Sequence, residues 1–126
     1  MDDAHTVEAY LARSDIRARP VFEAFRAAAL QAGDGVTERV SRTMVSWKNH
    51  RAFAGAYLNG QYVECTIDLT RAVAHPHLTA AFHSTNIVIT HRFTLTAETQ
   101  VDDDIRALLA EACKIAGPGA RRRAAE

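Results

Sequence analysis

The sequence predicts an α+β fold: an antiparallel β-meander of four to five strands, with two N-terminal helices and one C-terminal helix packed on one face. Apolar residues recur at helical spacing near both ends of the chain, whereas apolar and polar residues alternate through its middle. An Asn59-Gly60 pair, typical of a tight hairpin, joins two of the alternating runs. Because strands follow one another without intervening helices, this order favours an antiparallel sheet over a parallel α/β fold.

Two helices are predicted before the sheet. Thr6 has the hydroxyl of an N-cap, which accepts a backbone N–H left free in the first turn of a helix. A second helix is expected to begin after Ser14 or Asp15, with Pro20 in its first turn, where the missing N–H of proline costs nothing. The apolar face of this second helix is predicted to contain Val21, Phe22, Phe25, Ala28, Ala29 and Ala32.

The first strands are predicted from alternation. Residues 36–42 and 43–49 are predicted to form two strands, and residues 51–70 the hairpin around Asn59-Gly60. In the second arm of this hairpin every other residue is apolar, which predicts one buried and one partly exposed face. The residues predicted to be buried are Val63, Cys65, Ile67 and Leu69.

A further strand is predicted over residues 86–96, where His91 shares the inward face with apolar neighbours. Residues 71–85, which precede it, are expected to be irregular because Pro76 favours an extended or turn segment. One helical turn is expected within this connection, over residues 78–82.

The C-terminal helix is predicted from an apolar stripe and from its acidic start. The stripe consists of Val101, Ile105, Leu108, Leu109, Ala112 and Cys113. Residues 102–104 are three aspartates, which are favourable near the positive end of a helix dipole. We therefore predict one domain over residues 1–116 and a flexible tail over residues 117–126.

Composition limits the class of protein. The chain has 126 residues and a formal net charge of zero, so its overall charge gives no indication of a polyanionic partner. Cys65 and Cys113 lie in apolar patterns, which predicts buried free thiols in a reducing compartment. The acidic N-terminus lacks a signal-peptide pattern, and no run approaches the roughly 20 apolar residues of a membrane span. The sequence therefore predicts a cytoplasmic protein with no membrane partner.

Six segments carry a resemblance to a known family. They are TVEAYL, VFEAFRAA, VSWKNHRAFAGAYL, YVECTIDL, ITHRFTL and VDDDIRALLAEAC, and they lie within residues 6–113. In this order they resemble the bacterial family catalogued as domain of unknown function 5655. The resemblance implies an α+β fold and no established reaction. It also implies a role for His91, because the corresponding strand of the family has a histidine at this place.

Four of the six histidines lie within residues 75–91. Zinc and iron sites need three or four converging ligands, and two histidines that are two residues apart in an extended segment point the same way. The candidate metal ligands are accordingly His75, His77 and His83. Their spacing matches no recognised zinc motif. The alternative is that these three are polar residues of a connecting loop.

His91 has two interpretations of its own. A buried imidazole normally finds hydrogen-bond partners, so His91 is a satisfied core residue in the first interpretation. In the second it lies at the floor of a pocket between sheet and helices, where it binds a ligand or moves a proton near neutral pH. The second interpretation makes Arg92 and Trp47 further ligand-binding candidates.

Residues 39–51 combine basic side chains with one aromatic ring. Arg42 and Lys48 lie near Trp47, and a phosphate-binding surface uses such charges together with a ring for stacking. Against this, Glu38 lies in the same predicted strand, and Trp47 has the size and apolar character of a core residue.

The sequence favours a non-catalytic binding module with a small cleft between sheet and helices, and a small-molecule or protein ligand. The first alternative is a nucleic-acid-associated protein that uses residues 39–51. The second is a zinc- or iron-binding protein that uses the histidines of residues 75–91. The sequence favours a protein without catalytic activity but does not decide the question; no nucleophile elbow, P-loop or dinucleotide motif supports catalysis. No cofactor is predicted, and an exposed edge strand offers a route to a homodimer.

Overall fold

The computed structural model describes residues 6–117 and gives this part of the chain three α-helices and six β-strands. The helices are α1 (Val7–Ala12), α2 (Arg19–Leu30) and α3 (Asp103–Ala116); the strands are β1 (Thr37–Val40), β2 (Val45–Asn49), β3 (Arg51–Asn59), β4 (Tyr62–Leu69), β5 (Leu78–His83) and β6 (Ile89–Leu95). Residues 118–126, most of the predicted tail, lie outside the described residues, as do residues 1–5. None of the described helices is long and apolar enough to cross a membrane.

All six strands form one antiparallel sheet in the order β1-β2-β3-β4-β6-β5. The predicted α+β class is confirmed, but the sheet has six strands and not four to five. The added strand is β5, which lies at the edge beyond β6, so the last two strands exchange the places that a simple meander would give them.

The segment that forms β5 was expected to be irregular with one helical turn, and both expectations were wrong. Most of β5 is exposed, since it pairs only with β6. A strand exposed on most of its residues needs no alternation of apolar and polar side chains, which is the signal that predicts strands from sequence. Pairing with β6 determines the conformation of this segment.

The predicted hairpin of β3 and β4 is present, with its turn one residue later than Asn59-Gly60 suggests. Asn59 pairs with Tyr62, so the two loop residues are Gly60 and Gln61. Gly60 has a φ of 61°. Glycine adopts this angle without steric cost, and a glycine at the first loop position is typical of a type II′ turn.

Thr6 caps α1 as predicted, whereas α2 itself has no side-chain cap, and the predicted cap Asp15 lies before a separate turn. The Thr6 hydroxyl accepts the Ala9 N–H at 3.0 Å in α1. Asp15 caps a 3₁₀ turn over Ile16–Ala18 that leads directly into α2, and Pro20 lies in the first turn of α2. The turn itself was not predicted.

The sheet has one face covered by helices and one face that no described helix covers. On the covered face, Phe22 and Phe25 of α2 lie with ring centroids 6.3 and 5.6 Å from that of Trp47. The four predicted residues of β4, Cys65 among them, are buried there, as is Cys113; both cysteines are free thiols. The opposite face, called the open face below, carries Arg39, Ser46, Gly55, Tyr57, Glu64, Thr66, Asp68, Phe82, Thr90, Arg92 and Thr94.

Candidate functional site

The structure does not bring the five predicted ligand-binding residues together. His91 and Trp47 lie on the covered face and have no exposed surface. Arg92 lies on the open face, because it follows His91 in the same strand and strand residues alternate between faces. Lys48 and Arg42 are both exposed, Lys48 in β2 and Arg42 in the turn before it. Lys48 pairs across the sheet with Thr37.

His91 has both ring nitrogens bonded to backbone groups. Nε2 accepts the N–H of Val73 at 3.2 Å, and Nδ1 lies 3.1 Å from the carbonyl oxygen of Ile89. An Nε2 that accepts places the ring proton on Nδ1, which then donates to Ile89. His91 thus ties the connection after β4 to β6. Its burial argues against direct contact with a ligand.

Trp47 belongs to a half-buried polar network at the edge of the core. Its Nε1–H donates to Glu38 at 2.9 Å, and Arg26 donates to the same carboxylate at 2.8 and 3.1 Å. Burial raises the pKa of Glu38, but the hydrogen bonds from Arg26 and Trp47 outweigh it, so the pKa lies below its ordinary value. The indole ring is therefore unavailable for stacking on a base.

The candidate metal ligands are only partly brought together. His75 and His77 lie with ring centroids 5.5 Å apart, whereas His83 is the last residue of β5. A ring nitrogen of His75 and carboxylate oxygens of Asp102 and Asp104, from the start of α3, lie within 4.8 Å of one another. These aspartates were assigned to the helix start by sequence, and Asp102 does cap α3 by accepting the Ile105 N–H.

The tautomer of His75 opposes metal binding in this geometry. Its Nδ1 accepts the backbone N–H of His77 at 3.1 Å, so the neutral ring carries its proton on Nε2. A metal ion needs an unprotonated nitrogen, and either nitrogen becomes available only if the His77 bond is broken. A metal role for His75, His77 and His83 stays a prediction.

A cleft of about 440 Å³ lies where the end of α1 meets the β1–β2 and β3–β4 turns. Three parts of the chain line it: Tyr10 with residues 13–15, residues 42–43, and Leu58 with Gly60. We call it the basic cleft, because Arg13 and Arg42 both line it. Of the predicted site residues, only Arg42 belongs to it.

Tyr10 connects α1 to the β1–β2 turn and to the end of β3, beside the basic cleft. The buried Tyr10 hydroxyl donates to the Thr43 carbonyl oxygen at 3.2 Å and accepts the Leu58 N–H at 3.0 Å. Burial raises the pKa of this hydroxyl above its ordinary value of 10.0, so it stays protonated near neutral pH. The bonds connect α1 to the β1–β2 turn and to the end of β3.

The two guanidinium groups of the cleft keep free donors. Arg13 donates through Nη2 to the Arg42 carbonyl oxygen at 3.2 Å, and its Cζ lies 5.9 Å from the centroid of the Tyr10 ring. This contact is a cation–π interaction by its distance. Both arginine side chains are exposed, and neither forms an ion pair among the described residues.

Asp15, the acidic residue of the cleft lining, does not neutralise these arginines. Arg17 donates to its two carboxylate oxygens at 3.0 and 2.7 Å, and the Arg17 backbone N–H donates at 2.9 Å. The bonds from Arg17 lower the pKa of Asp15 to about 2. Because Asp15 is paired with Arg17, the charges of Arg13 and Arg42 give the cleft a net positive charge.

Tyr10 and Arg13 were missed as site residues by sequence reasoning. Tyr10 lies on the apolar face of α1 and is buried, so its position in the sequence is typical of a core residue and gives no indication of its hydroxyl bonds. Arg13 is one of many arginines, and nothing in its spacing distinguishes it. Contact between α1 and Arg42, 29 residues later, is a property of the tertiary structure.

Comparison with known proteins identifies the family. The family model described as Domain of unknown function (DUF5655) matches residues 7–116. The chain belongs to this family. No curated protein matches the chain, and no solved structure matches it.

The match to the DUF5655 family covers every helix and strand of the described fold. It therefore includes both the basic cleft and the strand that carries His91. The family description names no ligand or reaction, so the chemistry of the domain has to be inferred from its own residues.

Proposed function

We propose that this DUF5655 domain is a non-catalytic binding module whose basic cleft binds a carboxylate or phosphate group of a small ligand. The observation that carries the proposal is the pair of exposed guanidinium groups, Arg13 and Arg42, in a cleft whose acidic residue is already paired. Guanidinium groups match the planar, two-oxygen geometry of such anions. A volume of about 440 Å³ lies within the usual range of small-ligand sites.

The lining residues favour binding over catalysis. Ser14 donates its hydroxyl to the Leu11 carbonyl oxygen at 2.6 Å, and the Tyr10 hydroxyl is bonded on both sides. Asp15, with a pKa of about 2, is too weak a base to take a proton from either hydroxyl. No histidine or cysteine lines the described cleft.

The nucleic-acid alternative has weaker support. It depended on Trp47 as a stacking ring beside Arg42 and Lys48, and the ring is fully buried. The basic cleft accommodates a single phosphate group equally well from a nucleotide or from another phosphorylated compound.

Cytoplasmic location stays a prediction.

A thermal-shift titration with phosphate, sulfate and acetate tests the proposal. We expect at least one of these anions to raise the melting temperature, because a ligand that binds only the folded state stabilises it. Arg13→Ala and Arg42→Ala should each raise the anion concentration needed for the same rise in melting temperature about 10- to 100-fold. This is the effect expected when hydrogen bonds to a charged group are lost.

Arg106→Ala is the matched control, because Arg106 is another exposed arginine, on α3, whose partner is Asp103. It should leave the titration unchanged. The proposal fails if none of the anions stabilises the domain, or if all three variants respond like the wild type.

A further inference from the structure

The charged groups of the basic cleft leave an excess of two positive charges. Arg13 and Arg42 line the cleft, and neither has an ion-pair partner among residues 6–117. Asp15 is the acidic residue of the lining, and Arg17 balances its charge by bonding both carboxylate oxygens. Two unpaired guanidinium groups favour a ligand group with two negative charges over one with a single charge, because each additional charge pair is attractive.

The cleft also offers uncharged donors. Gly60 lines it, and the Gly60 backbone N–H donates to no residue within the described part of the chain. A Cβ at this glycine would meet no atom within 4 Å, so a ligand oxygen has room to approach the backbone. Thr43, also in the lining, forms its hydrogen bonds within residues 6–117 through its backbone, which leaves its hydroxyl available.

Donors from four different residues therefore surround the same space. Such an arrangement suits the three terminal oxygens of a phosphate monoester, which diverge from one phosphorus atom. A carboxylate has two oxygens in one plane, so a single guanidinium group satisfies it through two parallel bonds. The second guanidinium group and the uncharged donors of the cleft would then have no acceptor.

We propose that the basic cleft recognises a phosphate monoester of a small molecule in its doubly charged form. This inference rests on the proposed function, since it specifies which anion the same cleft binds. A phosphate monoester loses its second proton near pH 6, so at neutral pH its charge balances Arg13 and Arg42 together. Each phosphodiester of a nucleic-acid backbone carries a single charge and is therefore the poorer ligand.

The protein groups at the cleft keep their charge between pH 5 and pH 7.5. Arg13, Arg17 and Arg42 stay protonated, because arginine does not lose its proton in proteins. Burial raises the pKa of the Tyr10 hydroxyl above 10.0, and the bonds from Arg17 lower the pKa of Asp15 to about 2. The described lining contains no histidine. A change of affinity across this pH range therefore reports the ionisation of the ligand.

Isothermal titration calorimetry of the full chain with methyl phosphate and methyl sulfate tests the proposal. The two compounds have nearly the same shape, but at pH 7.5 methyl phosphate carries two charges and methyl sulfate carries one. At constant ionic strength, methyl phosphate should bind at least about tenfold more tightly. At pH 5 only about one tenth of it is doubly charged, so its affinity should fall about five- to tenfold. The affinity of methyl sulfate should stay constant.

Substitutions locate this preference in the cleft. Arg13→Gln and Arg42→Gln should each reduce the preference for methyl phosphate to about threefold, because one of the two positive charges is removed. Arg106→Gln is the matched control: it removes an exposed arginine on α3 that is paired with Asp103, and it should keep the full preference. Dimethyl phosphate, a singly charged diester, should bind the wild type as weakly as methyl sulfate.

The possible failures are distinguishable. Equal affinities of methyl phosphate and methyl sulfate at pH 7.5 overturn the inference but leave the anion site of the proposed function intact. A preference that is unchanged in both Arg13→Gln and Arg42→Gln also overturns it, since the two charges of the cleft would not be its cause. If neither compound binds while acetate does, the inference fails alone; if acetate does not bind either, the proposed function fails with it.

Discussion

His91 and Tyr10 are two buried polar rings that hold the fold together in the same way. Each accepts one backbone N–H from a distant connection, Val73 for His91 and Leu58 for Tyr10. Each also bonds a backbone carbonyl oxygen. They differ in what surrounds them: apolar core residues enclose His91, whereas two arginines and solvent adjoin Tyr10. Both rings therefore connect distant parts of the backbone. Only Tyr10 has charged side chains beside it, and the proposed anion site lies there.

The largest effect is expected when His91 is removed. His91→Ala should destabilise the domain by about 3–5 kcal/mol, because it leaves a cavity and an unpaired Val73 N–H. Urea denaturation measures this, and His83→Ala, an exposed histidine, should change stability by less than about 0.5 kcal/mol. Equal, small effects of the two substitutions would show that His91 is not a structural tie.

Tyr10→Phe should cost about 1–3 kcal/mol, since the ring remains but the Leu58 N–H loses its acceptor. It should also weaken anion binding, because the hydroxyl holds the β1–β2 turn at Thr43 and the end of β3 at Leu58. Tyr62→Phe is the matched control, as the Tyr62 hydroxyl has only a 3.5 Å contact with Gln61. If Tyr10→Phe and Tyr62→Phe are equally stable, the hydroxyl of Tyr10 does not connect the elements as described.

The Arg26–Glu38 pair should show a smaller, pH-dependent effect. Glu38→Gln should cost about 1–2 kcal/mol at neutral pH, since one partner of a half-buried charged hydrogen bond is lost. The pKa of Glu38 is lowered in the folded state, so its contribution is fully present above the ordinary pKa of 4.5 and is lost as pH falls through the lowered value.

Denaturation of wild type and Glu38→Gln between pH 7 and pH 2 measures this difference, which should shrink in acid. Glu23→Gln removes a more exposed carboxylate, 3.6 Å from the same arginine, and should cost less than about 1 kcal/mol. A difference that is constant across the pH range would assign the effect to packing and not to charge.

The parts of the fold that were predicted correctly are those with a local signal. β4 alternates because one of its faces is buried, and Thr6 caps α1 through a bond within its own first turn. The strand β5 has no such signal, because its conformation comes from pairing with β6 along one edge. The position of β5 outside β6 could not be predicted either, because it depends on which of the two strands pairs with β4.

The site was predictable only in part for a similar reason. Arg42 was a candidate from its basic surroundings, and Trp47 was proposed beside it from sequence proximity. In a strand, proximity along the chain does not mean a shared face: Trp47 is directed into the core while Arg42 lies in an exposed turn. Arg13 joins Arg42 only through the packing of α1 against the sheet.

The most direct test of the basic cleft is an NMR titration of the folded domain with phosphate, observing the arginine side-chain Nε–Hε signals. The signals of Arg13 and Arg42 should move together and saturate, while the backbone amides of Val73 and His91 stay in place. If the signals of Val73 and His91 move while those of Arg13 and Arg42 do not, the anion does not bind in the basic cleft. Binding would then have to be assigned to the region around the buried His91.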